Sequence, residues 1–418
     1  MSPALRAFRH RNFRLFFSGQ LISLLGFWLQ VVAQGWLVYR LTGSALMLGL
    51  TAFAQQIPLL FLAPIAGVLA ERVDRRRLLL FTQCAAGLVA LALAALTFAD
   101  VIGPWHVIAL ALVYGVIHGF ETPTRQAFIL DLVENRDDLP NAIALQSTLF
   151  NTARFAGPSL AGLVLAATGE AWCFLLNAVS YLATIIAYSL VRVPCRRASQ
   201  ESTHWLRQLI EGFRYGYGFV GTRHLLLMVA AMSFFSAPWQ PFMPKIAAET
   251  FGGTSRTLGF MLGAVGLGAL CGALSLARRS TVVGLGRALA TTATISGIAF
   301  AAFSQSRDYW LSLALLVVFG FGLVFTIVSC NTVLQTITDE GKRSRVISLH
   351  VMSIFGAAPL GNFVWAHLSE HVGVHWTILT CGLGMAGAGL TFAAMRGPWR
   401  RAVREVYVRQ GMLPASEE

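Results

Sequence analysis

Three ionisable residues stand close together inside an apolar stretch. His118, Glu121 and Arg125 fall at i, i+3 and i+7, on one face of a helix. A second stretch carries Ser147, Asn151, Arg154 and Pro158 at i, i+4, i+7 and i+11, again on one face. Ionisable groups inside apolar helices are expensive, and in lipid they pair, relay protons or line a polar path. Counted from Asp131 and Ala142 at the ends of the two stretches, Glu121 is ten residues in and Arg154 twelve. At 1.5 Å per residue that places them within about 3 Å of the same depth, and a Glu121–Arg154 pair is expected. Such a pair could join two helices without ever titrating, since breaking it is costly. Alternatively, Glu121 could take up a proton whenever the pair is disturbed, because burial disfavours the charged carboxylate and a nearby Arg favours it. His118 reads as a hydrogen-bonded packing residue or as a relay.

The elements that must hold these residues are set by composition. Of 418 residues, 56% are hydrophobic and 12% charged; soluble domains run at about 45–50% and about 25%. Mean hydropathy is +0.64. Disorder is excluded, and so much apolar surface exceeds what one chain of this length buries in water. The expected solvent is lipid. Twelve stretches can be marked: 15–39, 41–70, 78–99, 101–120, 139–169, 171–191, 224–244, 257–277, 288–306, 309–338, 346–369 and 371–395. Eleven lack Asp, Glu, Lys and Arg, and 139–169 is interrupted only by Arg154. Each matches the roughly 20 residues of a membrane helix. The first is too long for a signal-peptide core and has no clear cleavage site, so it reads as retained.

The net charge is +13, and 30 of the 32 basic residues are Arg. Twenty-six of them lie at the termini and the even-to-odd loops. Four (Arg40, Lys245, Arg256 and Arg307) lie in the odd-to-even turns, and Arg125 and Arg154 lie inside stretches. By the positive-inside rule both termini are cytoplasmic. The basic charge is then topological, and no nucleic-acid partner is expected. The six Cys form no Cys-x-x-Cys pair, so neither a metal site nor a disulfide framework is indicated. Neither Lys245 nor Lys342 sits in a phosphate-binding loop; any energy comes from a gradient. No cofactor and no catalytic constellation is expected.

Residues 192–224 are the only long polar segment between stretches. They divide the chain into a six-helix bundle over 1–191, a linker, and a second bundle over 225–418. Within the linker Leu206, Leu209, Ile210, Phe213, Tyr217 and Val220 recur at helical spacing, the pattern of an amphipathic surface helix. The halves echo each other: Gly157-Pro158 in the fifth span is answered by Ala358-Pro359 in the eleventh, 201 residues later. Internal repeats of this kind build many secondary transporters. Gly115/Gly119, Gly259/Gly263 and Gly268/Gly272 would allow close helix crossings.

At these motifs the chain resembles the major facilitator superfamily. Gly67-Val-Leu-Ala-Glu71-Arg72-Val-Asp74-Arg75-Arg76-Arg77 is similar to its Gly-x-Leu-Ala-Asp-Arg-x-Gly-Arg-Arg loop, departing at Glu71 and Asp74. Phe120-Glu121-Thr-Pro123-Thr-Arg125-Gln126-Ala127 and Phe150-Asn151-Thr-Ala-Arg154-Phe-Ala-Gly157-Pro158 resemble the drug and siderophore antiporter branch, of the enterobactin-exporter and macrolide-efflux type. The resemblance implies an all-α membrane protein: twelve transmembrane helices in two pseudo-symmetric six-helix halves. It implies a cytoplasmic gate formed by Gly67, Glu71, Arg72, Asp74, Arg75 and Asp131, and an antiporter-like bend at Gly157, Pro158 and Gly162. Arg76 and Arg77 read as gate members or as lipid-facing charges. The Arg that many proton antiporters carry in the fourth span is replaced by about Ala111.

In this superfamily spans one, four, seven and ten line the cavity. Their polar and aromatic residues here are Gln20, Phe27, Gln30 and Gln34, then Ser236, Trp239 and Gln240, then Thr326 and Ser329, with Asn151 from the fifth span. For any single one of them, interhelical hydrogen bonding competes with substrate contact. An aromatic, amide-lined and lightly charged cavity suits an amphiphilic organic molecule. The expected function is export of such a molecule by proton antiport from a bacterial inner membrane. An importer or uniporter and a lipid flippase are the alternatives. The expected partners are the bilayer, protons and the substrate, with the chain a monomer.

Overall fold

A computed structural model of the chain describes residues 3–133, 135–193, 214–279, 281–410 and 412. The described residues are almost entirely helical: α1 Arg11–Thr42, α2 Ala45–Arg72, α3 Arg75–Phe98, α4 Pro104–Leu132, α5 Leu139–Thr168, α6 Glu170–Leu190, α7 Val220–Ser236, α8 Trp239–Glu249, α9 Ser255–Ala277, α10 Leu285–Gln305, α11 Tyr309–Ile337, α12 Glu340–Val372, α13 Val374–Ala394 and α14 Arg396–Arg409. Among the described residues, eleven segments are long and apolar enough to cross a membrane, with α7 and α8 counted as one. The twelfth stretch, α5, has 30 residues but carries Gln146, Asn151 and Arg154 and falls short in apolarity.

The ends of the helices follow from local chemistry. α1 stops at Gly43, whose φ of 61° is open to glycine, and Ser44 caps α2 by accepting from Met47 N at 3.3 Å. Asp74 caps α3, its Oδ1 accepting from Arg76 N at 2.9 Å. The turn from α5 to α6 is a single residue, Gly169 at φ 84°, and the turn from α12 to α13 is Gly373 at φ 83°. These corresponding joints extend the sequence echo between the halves.

Residues Met1–Gln200 with Pro241–Gly263 form one compact unit, and Glu201–Gln240 with Ala264–Glu418 form the other. Inside the first, α1 packs on α5 and α6, and α3 on α4 and α6. Inside the second, α7 packs on α12 and α13, and α10 on α11 and α13. The same set of pairings recurs, as an internal repeat requires. The expected close crossings are present. A Cβ on Gly115 would strike Gln55 O of α2, one on Gly259 would come within 2.9 Å of Gly162 Cα and Pro158 O, and one on Gly272 within 2.6 Å of Phe321 O. The seventh span is broken into α7 and α8 at Ala237-Pro238, while Pro241 and Pro244 lie inside α8.

Trp105 and Trp172 in the first unit, and Trp310 and Trp376 in the second, are half or more exposed. Each is the second or third residue of its helix. Exposed Trp at helix starts marks a membrane–water boundary.

Residues 214–218 are helical, while Leu206, Leu209, Ile210 and Phe213 of the expected linker helix lie outside the described residues. Lys342 Nζ sits 4.4 Å over the Tyr215 ring. The basic stretch after the last span forms a docked helix. α14 buries Trp399, Val403, Val406 and Tyr407, and Trp399 Nε1 donates to Gly221 O at 3.0 Å.

Candidate functional site

Within the first unit the polar face of α4 turns inward. The Glu121 and Arg125 side chains are 15% and 11% exposed, and Arg125 Nε lies 3.2 Å from Glu121 Oε1. That N–H is not aimed at the carboxylate, so the contact is an ion pair without a hydrogen bond. Arg125 Nη1 donates to Gln20 Oε1 of α1 at 3.3 Å. Gln20 Nε2 in turn donates to Tyr188 Oη of α6 at 2.7 Å. The guanidinium also stacks 4.6 Å from the centre of the Phe150 ring of α5. His118 Nε2 stands 3.9 Å from Glu121 Oε2, and its side chain is 35% exposed. Its ring stacks on Tyr114 at 5.8 Å.

Apolar layers enclose this cluster. Phe13, Phe16, Leu79, Phe128, Leu132 and Tyr188 form a buried group on the side of the basic loop. Ala86, Val89, Ala90, Tyr114 and Tyr181 form another, with Phe27 packed against it. A charge pair in such a setting is weakly screened.

The expected Glu121–Arg154 pair is not formed. Glu121 is satisfied one turn along its own helix by Arg125, a shorter path than a bridge to α5 (at i, i+4 the side chains are neighbours). Arg154 is exposed and has no hydrogen-bond or ion-pair partner among the described residues.

The basic loop after α2 also forms contacts. Arg75 Nη1 binds Asp131 Oδ2 at 2.9 Å, the partner expected at the foot of α4. Arg76, read from sequence as a gate or lipid-facing charge, instead donates through Nε to Tyr188 O at 2.7 Å and through Nη2 to Ser189 O. A cation there satisfies carbonyls left open at the end of α6. Arg77, with 88% of its side chain exposed, does face outward. The side chains at positions 67, 71 and 72 lie outside those described.

Several cavity candidates serve helix packing here. Asn177 Nδ2 of α6 donates to Gln30 Oε1 at 2.6 Å, and Thr326 bonds Thr292 at 3.1 Å. Gln34, Ser236 and Ser329 are buried, and Ser329 Oγ has no partner. Phe27, Asn151, Trp239 and Gln240 are half-buried; Trp239 lies 6.2 Å from Phe319. At the bend, Gly157 faces Trp28, Gly162 faces Ser255 O at 2.6 Å, and Ser159 Oγ donates to Gly259 O at 3.3 Å. The glycines therefore let α5 approach α1 and the start of α9.

Tyr188 was missed in the sequence because it carries no charge in an apolar run. A signal existed: Asn177, Ser180, Tyr181, Thr184 and Tyr188 fall at i, i+3, i+4, i+7 and i+11. All five are buried, and they form the polar stripe against which α1 lies.

The family model described as transmembrane secretion effector matches residues 2–407. The chain is 24% identical over 377 residues to the Staphyloferrin A transporter of Staphylococcus aureus, covering 88% of this chain and 92% of that protein. It is 27% identical over 372 residues to the multidrug efflux pump Tap of Mycolicibacterium fortuitum, covering 86% and 90%. It is 25% identical over 363 residues to the enterobactin exporter EntS of Shigella flexneri, covering 84% and 85%. The crystal structure of the nucleoside transporter NupG superposes with a TM-score of 0.69 at 13% identity, covering 91% of this chain and 98% of that one. At that identity the likeness speaks for the fold alone.

Proposed function

The chain belongs to the transmembrane secretion effector family of the major facilitator superfamily, and on that premise we propose that it exports an amphiphilic small molecule from the cytoplasm by proton antiport and alternating access. The inner membrane of a bacterium, with both termini cytoplasmic, is the setting that the distribution of basic residues supports. Rocking of two repeats around a site needs no covalent step.

One observation carries the coupling: a Glu121–Arg125 pair held between apolar layers and tied through Gln20 to Tyr188. With Arg125 folded against it, Glu121 has a counter-charge 3.2 Å away. When the Arg125 side chain swings to another rotamer, the carboxylate faces an apolar surrounding alone and takes up a proton. His118 is the more exposed group beside it, so the proton reaches Glu121 past the imidazole. Return of Arg125 expels the proton. The polar chain through Gln20 to Tyr188, whose carbonyl is held by Arg76, links this event to the basic loop.

The test is uptake of a multidrug-type dye into inverted membrane vesicles. Glu121→Gln is expected to abolish the part of uptake that depends on an imposed pH gradient, with gradient-independent uptake retained as the control for folding. Proton-dependent uptake that survives in this variant overturns the assignment. His118→Gln is expected to slow uptake without abolishing it.

A further inference from the structure

The arginine left over from the first unit's charge balance points to the kind of substrate. Glu121 and Arg125 neutralise each other, and Arg75 and Asp131 do the same. Arg154, in the middle of α5, has no such counterpart among the described residues. A guanidinium at membrane depth is tolerated only where it is paired or where it meets water.

The surroundings of Arg154 decide which. Exposed Ile143 opens the first half of α5; from Ser147 on its exposed positions are Ser147, Thr148, Thr152 and Arg154, with Asn151 half-buried beside them. That is a run of hydroxyls and an amide. In the second half the exposed positions include Leu160 and Leu163. An apolar exposed arc faces acyl chains; a polar one does not. The Ser147–Arg154 arc therefore suits water, and the positions of Ile143, Leu160 and Leu163 suit lipid. The hydroxyl of Thr148 and the amide of Asn151 bond back to their own helix, to Ala144 O and Ser147 O at 2.9 Å each. Neither is spent on Arg154.

We propose that Arg154 is the counter-charge for an anionic group of the transported amphiphile. The ligand class is an aromatic or aliphatic body carrying one carboxylate or similar acid, held by a forked guanidinium with Asn151 beside it. One arginine suits a single acidic group on a larger apolar body. A small polyanion would call for several. This assignment rests on the export reading above but is separable from it.

The experiment compares fluorescein, which bears a carboxylate, with its methyl ester. Binding to the purified full-length protein is followed by fluorescence anisotropy, and uptake is followed in inverted vesicles. The wild type is expected to bind the acid about tenfold tighter than the ester. Arg154→Gln is expected to erase that preference and leave ester binding unchanged, whereas Arg154→Lys, which keeps the charge, retains part of it. Melting temperatures of both variants control for folding. If the wild type shows no preference for the acid, including no binding of either dye, the proposal falls. It falls also if Arg154→Gln keeps the preference or weakens both dyes equally. Proton-driven uptake of the ester alone would leave the export reading standing while removing the anion assignment.

Discussion

In the first unit the deep polar groups include charges, and all but Arg154 are joined: Glu121 to Arg125, Arg125 to Gln20, Gln20 to Tyr188. In the second unit the deep polar groups are neutral, and several stand alone. Ser233 Oγ, Ser312 Oγ, Ser329 Oγ, His350 Nδ1 and Asn362 Oδ1 are buried without a hydrogen-bond partner among the described residues. The difference follows the cost of leaving each kind unpaired. A stranded hydroxyl costs about 1–3 kcal/mol, and a stranded buried charge costs more. Charges must therefore be organised by the protein itself, and such organisation is what a proton-driven switch needs. Neutral groups can be left open to water or to a ligand, as an adaptable binding wall requires.

The largest expected effect tests the charged side of this contrast. Arg125→Gln strips Glu121 of its counter-charge, and should destabilise the protein by about 3–5 kcal/mol. The double variant Glu121→Gln/Arg125→Gln should recover most of that in melting experiments. If the double variant is as unstable as the single, the pair is not what the cluster is built around. A middle effect is expected at the basic loop. Arg76→Ala removes two charge-assisted bonds to the end of α6 and should cost about 1.5–3 kcal/mol, while Arg77→Ala, largely exposed, should cost less than about 0.5 kcal/mol. Equal losses would mean that position in the loop, not the carbonyl contacts, matters. The smallest effect belongs to the second unit. Ser329→Ala deletes a hydroxyl that has no partner, so melting should be unchanged or slightly raised. A clear loss there would erase the contrast between the units.

The helical architecture was legible because lipid imposes length and charge rules that single residues obey. The stretches bounded by Arg, Asp and Glu became helices with nearly those limits, and Gly259 and Gly162 met as their spacing allowed. The charged cluster on α4 was half legible. His118, Glu121 and Arg125 announced themselves by charge, but their grouping was misjudged, since depth along two helices fixes height and not rotation. Glu121 took the partner on its own helix. Arg76 looked like a topological charge because the carbonyls it satisfies, on Tyr188 and Ser189, leave no trace in side-chain identity. The α14 helix was hidden by its arginines, although Trp399, Val403, Val406 and Tyr407 recur at i, i+4, i+7 and i+8.

The modest apolarity of α5 bears on how the protein is made. An arginine at the centre of a helix adds about 2.5–3.5 kcal/mol to its transfer into the bilayer during synthesis. α5 also gives up hydrophobic side chains to Asn151, Gly157 and Pro158. Alone it is a poor candidate for release into lipid from the insertion machinery. Its contacts with α1 and α6 offer a remedy: α1 is already waiting when α5 emerges, and α6 follows through a one-residue joint. Biogenesis would then proceed by insertion of α5 and α6 as a hairpin against α1. Glycosylation-site mapping of nascent chains should find α5 uninserted until α6 has been translated, and independent insertion of α5 would refute that order.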